Sequence, residues 1–164
     1  MPGNKIEFFA LLLGGDLGET EKFFAAALAG LLAGGADRLH RSRLYRTAPV
    51  DCVPGTPDFL NCAVTGAFPG TPRELLAVTQ RLEIEAGRPA RHSSREARVL
   101  DIDIILFGSE VLHTPELTIP HPRARQRRFV LEPLAEIAPS LRFPDTGETV
   151  ADALARLDAV RPQP

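Results

Sequence analysis

The 164-residue chain has no tryptophan, one tyrosine and one methionine, and aromatic residues make up only 6% of it. Cysteine is equally scarce: Cys52 and Cys62 stand ten apart with no Cys-x-x-Cys spacing, which excludes a disulfide scaffold and an all-cysteine zinc site. The default compartment is then a reducing cytoplasm. No apolar run approaches the roughly 18–20 residues that cross a bilayer. Residues 1–7 show no cationic segment followed by an apolar core and cleavage site, so no signal peptide is expected. No G-x-x-x-x-G-K-[ST] stretch exists, which excludes a P-loop kinase by motif. Gly14-Gly15-x-x-Gly18 hints at a nucleotide loop without matching G-x-G-x-x-G.

Hydrophobic residues at 44% and charged residues at 24% are ordinary for a globular protein. The length predicts one domain over residues 1–164, with a frayed proline-rich tail at 160–164. The net charge of −2 predicts no general affinity for nucleic acid. That average hides an asymmetry. Of 19 basic residues only Lys5 and Lys22 are lysines, and eight arginines lie between Arg88 and Arg128. Arginine is the fork-shaped donor suited to phosphate oxygens. Substitution of arginine for lysine across a GC-rich genome explains the overall bias as well, and the clustering less well.

Residues 6–13 read as a buried strand, and residues 14–18 as a loop. From Thr20 the period changes: Phe24, Leu28, Leu31 and Leu32 form one helical stripe, stopped by Gly34-Gly35. Residues 39–46 are strand-like, followed by a loop with Pro49, Pro54, Gly55 and Pro57, then a strand over 59–68. Thr71-Pro72-Arg73-Glu74 is a capping box with proline at the first helical position. The helix it starts runs to Ala86, with Leu75, Leu76, Thr79 and Leu82 inward and Gly87 as the stop. Residues 88–98 are a polar loop and 99–107 a strand, with Gly108-Ser109 turning into Val111-Leu112. Short helices are expected near 129–137 and 150–157. The order β-α-β-β-α-β is the ferredoxin-like α+β pattern, here with a C-terminal hairpin and helical extension.

Three constellations carry chemistry. In Arg98-Val99-Leu100-Asp101-Ile102-Asp103-Ile104-Ile105 the two aspartates share one face of a strand, and Leu100, Ile102 and Ile104 share the other. Paired carboxylates among apolar neighbours repel and resist desolvation, and a divalent cation relieves both. A half-exposed strand turning its polar face to solvent is the bland alternative. Arg88, Arg91, Arg95 and Arg98 beside the pair favour a metal–polyphosphate site. Second, His121 stands between Pro120 and Pro122 on a stiff segment before Arg123, Arg125, Arg127 and Arg128, placed either to donate to a phosphate or for structure. Third, Gln80 and Glu83 are neighbours on one face of the second helix, at the margin of its core face, where they meet either a cleft or solvent. Cys52 lacks a clear catalytic partner. An RNA-binding module on such a sheet needs two or three strand aromatics for stacking, and no such segment is present.

These residues, taken together, resemble the 6-hydroxymethyl-7,8-dihydropterin pyrophosphokinase family. The resemblance rests on Leu44-Tyr45-Arg46-Thr47, Pro57-Asp58-Phe59-Leu60-Asn61, Thr79-Gln80-Arg81-Leu82-Glu83, Gly87-Arg88, Arg98 through Ile104, Ile119-Pro120-His121 and Arg127-Arg128-Phe129, in order and nearly without gaps. It implies an enzyme that transfers pyrophosphate from MgATP to the hydroxymethyl pterin, giving AMP and the pterin methyl diphosphate in folate biosynthesis. It implies that Asp101 and Asp103 ligate two magnesium ions, with Arg88 and Arg98 catalytic at the phosphates. Gln80, Glu83, Ile104, Thr118, His121 and Arg127 would hold ATP. Thr47, Val50, Phe59, Asn61 and Phe129 would line the pterin pocket, with Phe129 stacking on the ring and Asn61 bonding its edge. Residues 88–98 would form a lid over the phosphates. The expected partners are these two small molecules, with no nucleic acid or membrane, and the chain is expected as a monomer. Departures from the family pattern fall at Gly15 and Asp16, where Ser-Asn is usual, at Ala90, at Arg95, where an aromatic is common, at Glu96-Ala97 in place of Gly-Pro, and at Glu116. The alternative function is a non-catalytic relative that binds pterin or nucleotide without turnover.

Overall fold

The computed structural model describes residues 5–16, 20–47, 58–87 and 100–160. Strand β1 (Glu7–Asp16) is followed by helix α1 (Thr20–Ala33), strands β2 (Asp37–Arg41), β3 (Tyr45–Thr47) and β4 (Phe59–Phe68), helix α2 (Pro72–Glu85) and strand β5 (Asp101–Phe107). A two-stranded hairpin of β6 (Leu112–His113) and β7 (Thr118–Ile119), a 3-10 turn at Ala124–Gln126, and helices α3 (Arg128–Ile137) and α4 (Val150–Ala159) complete the chain.

The main sheet runs β2-β4-β1-β5, with β3 also pairing β4, and all its pairings are antiparallel. This is the ferredoxin-like order expected from the element sequence, with the second strand divided in two. The division is a departure from the single strand predicted over 39–46. At the break Ser42 is buried; its N–H donates to Ala63 O at 2.9 Å, and its Oγ accepts from Ala63 N–H at 2.9 Å while donating to Arg43 O. The hydroxyl thus replaces a ladder bond, and a short polar side chain that competes with the backbone interrupts a strand.

Two layers cover the sheet. On one face Leu11, Leu13, Cys62, Val64, Ile102 and Ile104 pack against Phe24, Ala27 and Leu31 of α1 and Leu75 and Leu82 of α2. The predicted Leu32 is not in this stripe. It lies about 80° round the helix from Phe24, by 3.6 residues per turn, and is 54% exposed, whereas Ala27 is buried. Helix α2 begins at the predicted capping box, with Glu74 N–H donating to Thr71 Oγ1 and Thr71 N–H to Glu74 Oε1. On the other face Ala10, Leu12, Ala63, Ile105 and Leu106 pack against Val130, Leu131 and Leu134 of α3, Val150 and Ala153 of α4, and Phe143.

Two further expectations change. Strand β1 runs on through Gly14, Gly15 and Asp16, predicted as a loop, because Gly14 is paired on both sides, with Asn61 of β4 and Asp101 of β5. The hairpin after Gly108 does not fold back on β5: Leu112 pairs with Ile119, and His113 with Thr118. The turn at Gly108 instead returns to the first strand, where Gly108 N–H donates to Phe8 O at 2.6 Å. Among the described residues no helix is long and apolar enough to cross a membrane.

Candidate active site

Register assembles the site. In an antiparallel sheet directly paired residues project to the same face. Tyr45, Asn61, Gly14 and Asp101 therefore form one row across β3, β4, β1 and β5. Ala63, Leu12 and Asp103 form the next row, and Thr47, Phe59 and Asp16 flank the first on its other side. Helices α3 and α4 cover only part of this face. Among the described residues the rest is uncovered, and a cavity of about 660 Å³ lies over it. Its walls include Thr47, Phe59, Asn61, Asp101, Asp103, Arg127 and Phe129, seven of the expected site residues. Residues expected at the pterin and residues expected at the phosphates thus share one space.

Gly14 makes the floor hollow. A Cβ built there would stand 3.0 Å from Asn61 Oδ1. Without one, the Asn61 side chain lies flat over β1, buried, with Nδ2 donating to Thr47 Oγ1 at 3.3 Å. Phe129, at the first turn of α3, is 38% exposed at the cavity. The Arg127 guanidinium lies 5.5 Å from its ring centre, a cation–π contact that ties a phosphate-type donor to an aromatic platform.

Asp101 is half-buried and Asp103 exposed. They are spaced roughly 7 Å along the strand by its rise per residue. Asp16, nearby on the same face, has its carboxyl raised above the usual range, first by burial and then by the charge of Asp101. Among the described residues no group of three or more His, Cys, Asp or Glu side chains is placed to hold a metal ion. Two carboxylates are nonetheless a donor set that suits magnesium, which completes its shell with water and phosphate oxygens.

The other expected nucleotide residues lie outside the cavity, around β5. This strand ends the sheet order, so its outer edge faces away from β1. Glu83 reaches from α2 to accept Ile102 N–H at 2.8 Å. The alternation of the ladder turns the main-chain groups of Ile104 to that same edge, while its side chain is buried in the core. Ile105 is the extra residue of a bulge, since Leu11 pairs with Ile104 and Ala10 with Leu106. The carbonyl of Ile105 accepts His121 N–H at 3.0 Å, which docks the Pro120-His121 segment on β5. His121 Nδ1 accepts Arg123 N–H at 3.2 Å, so the neutral ring carries its proton on Nε2. Burial holds the His121 imidazole below its usual value; Asp103 opposes this, while Arg127 and Arg123 add to it. Thr118 is half-buried on β7, and Gln80 is exposed on α2. Arg88, Arg98, Val50 and Cys52 lie outside the described residues.

Sequence reasoning did not assign Leu12, Gly14, Gly15, Tyr45, Arg46, Arg128, Glu132 and Pro133 to the site, all of which line the cavity. The signal for Tyr45 and Gly14 was register: each pairs with Asn61. Arg46 bonds Asp58 at 2.7 Å, and Arg128 pairs with Glu132 and with Asp158 of α4. Cys62, buried in the core, has its thiol pushed up to about 11 by burial and is not a nucleophile.

The chain matches the family model described as 7,8-dihydro-6-hydroxymethylpterin-pyrophosphokinase over residues 10–139. It is 40% identical over 135 residues to the 2-amino-4-hydroxy-6-hydroxymethyldihydropteridine pyrophosphokinase of Bacillus subtilis, covering 82% of this chain and 78% of that one. The protein of the same name from Methylorubrum extorquens is 40% identical over 150 residues, 89% of this chain and 90% of that one. Among solved structures, the Plasmodium falciparum HPPK-DHPS with pteroate superposes with a TM-score of 0.72 at 14% identity, over 95% of this chain and 43% of that one. That likeness concerns the fold.

Proposed function

Because the chain belongs to the 7,8-dihydro-6-hydroxymethylpterin-pyrophosphokinase family, we propose that its cavity is where pyrophosphate passes from ATP to 6-hydroxymethyl-7,8-dihydropterin in folate biosynthesis. The chain is an ATP-dependent pyrophosphokinase, and AMP and the pterin methyl diphosphate are its products. The observation that supports this location is the single row Tyr45–Asn61–Gly14–Asp101, which sets an aromatic-walled slot directly beside the carboxylate pair.

In this reading the pterin ring stacks on Phe129 and lies against Phe59, and Asn61 bonds its edge. The hydroxymethyl group then points along the row toward Asp101 and Asp103. Its oxygen attacks the β-phosphorus and the new O–P bond forms, while the bond from the β-phosphorus to the oxygen it shares with the α-phosphate breaks, that oxygen and the electron pair leaving on AMP. A carboxylate oxygen of one of the two aspartates helps take up the hydroxyl proton. Asp101 and Asp103 would hold two magnesium ions, which when bound would neutralise charge on the phosphate oxygens. Arg127 grips the phosphates from the cavity side. His121 donates to them from Nε2 across the edge of β5, and Gln80, Glu83, Ile104 and Thr118 hold the nucleotide along that edge. Arg88 and Arg98, with Val50 at the pterin, complete the set by family resemblance. Most of the rate then comes from placing two substrates and neutralising charge. The whole of residues 1–164 acts as one domain, as a cytoplasmic monomer without nucleic-acid or membrane partners.

The non-catalytic alternative gains no support, since the family model and the similar curated proteins are named as pyrophosphokinases. The test is substitution of the pair. Asp101→Ala and Asp103→Ala each lower kcat at least about 100-fold while the circular dichroism spectrum stays unchanged. Full activity in both variants contradicts the assignment.

A further inference from the structure

Tyr45 lines the cavity beside Asn61, yet its hydroxyl is already committed elsewhere. It donates to Glu136 Oε1 at 2.7 Å. The other oxygen of Glu136 accepts the main-chain N–H of Arg43 at 3.0 Å. The Arg43 guanidinium covers the Tyr45 ring at 4.6 Å from its centre, with Nε 3.5 Å from Glu136 Oε1. These contacts join β3 to the last turn of α3, the helix whose first turn carries Phe129.

Strand β3 needs such a brace. It is three residues long, pairs with β4, and follows directly on the break at residues 42–44. It carries Tyr45 and Thr47, one wall of the slot, while α3 carries Phe129, the other. One carboxylate therefore bonds across between the elements that carry the two walls. We propose that Glu136 is a positioning residue for the pterin: it fixes β3 against α3 and so sets the width of the slot that accepts a flat heterocycle. It touches no substrate itself. The inference rests on the reading that this slot takes the pterin.

The test uses the full chain and the variants Glu136→Ala, Glu136→Gln and Tyr45→Phe. Pterin affinity is measured at equilibrium from the ligand's fluorescence, without ATP. The KM for each substrate and kcat come from AMP release, and the urea midpoint reports folding. In Glu136→Ala, pterin Kd and KM rise about ten-fold, the cost of one or two lost bonds at a wall, while kcat and the KM for ATP stay within about two-fold. Glu136→Gln recovers most of this affinity, because its amide accepts from Arg43 N–H and donates to the Tyr45 hydroxyl. Tyr45→Phe falls between, and carries the test if Glu136→Ala does not fold. Unchanged pterin affinity in folded Glu136→Ala, or in Tyr45→Phe, overturns the proposal. So does an equal loss for pterin and ATP, which marks a general structural role. A wild-type chain that binds pterin but releases no AMP contradicts the assigned reaction, while the affinity contrast between variants still decides the role of Glu136.

Discussion

At the scale of single residues, the slot depends on what Gly14 leaves out. A side chain there would displace Asn61, whose carboxamide is buried against β1. Gly14→Ala pushes the Asn61 carboxamide by a few tenths of an ångström and is expected to raise the pterin KM by about two- to five-fold, the cost of a weakened hydrogen bond, with a smaller effect on the KM for ATP. Steady-state kinetics with each substrate varied in turn checks this, and equal changes in the two KM values argue against it. The aspartate pair could be read from the residues themselves, because two carboxylates crowded on one strand face are costly without a purpose, whereas Asn61 came only through the family resemblance. Gly14 and Tyr45 were not legible, because a glycine and a tyrosine become site residues only once register places them beside Asn61.

At the scale of elements, most of the fold could be read from periodicity, and the exceptions share a cause. The capping box of α2, the apolar run of β4 and the alternation of β5 are local patterns, and each appears where expected. Pairing partners are not local. The extension of β1 through Gly14-Gly15-Asp16 is stabilised by β4 and β5, and the hairpin of β6 by β7, neither of which a window of residues reveals. The break at Ser42 depends on Ala63, 21 residues away. Ser42→Ala leaves the buried Ala63 N–H without its acceptor and is expected to cost about 1–3 kcal/mol, read as a lower urea midpoint. Thr71→Ala removes the cap of α2 and is expected to cost about 1 kcal/mol. A Ser42→Ala chain as stable as the wild type would show that another acceptor serves Ala63.

At the scale of the whole molecule, arginine–carboxylate and tyrosine–carboxylate bonds tie the C-terminal helices and the segments beside them together and to the sheet. The Tyr45 hydroxyl beside Glu136 holds that carboxyl below its ordinary 4.5, Arg125 holds Asp145 below 3.8, and Arg156 holds Glu148 below 4.5. A carboxylate whose folded pKa is lowered contributes stability that is fully present above its unfolded pKa and is lost as pH falls through its folded one. The urea midpoint is therefore expected to hold steady from about pH 8 to 7, to begin falling below about pH 6.5 where the half-buried His121 imidazole resists its proton, and to fall further below about pH 4 as these carboxylates protonate. An acid-insensitive midpoint would mean that these bonds add nothing. Any single exposed pair contributes little, so the effect belongs to the set.

The most direct measurement of the central claim is the fate of ATP. With magnesium and 6-hydroxymethyl-7,8-dihydropterin present, phosphorus NMR should show one AMP and one pterin methyl diphosphate formed per ATP consumed, and no AMP when the pterin is left out. Release of ADP, or of AMP at the same rate without the pterin, would contradict the claim that the carboxylate pair and the slot beside it form one pyrophosphoryl-transfer site.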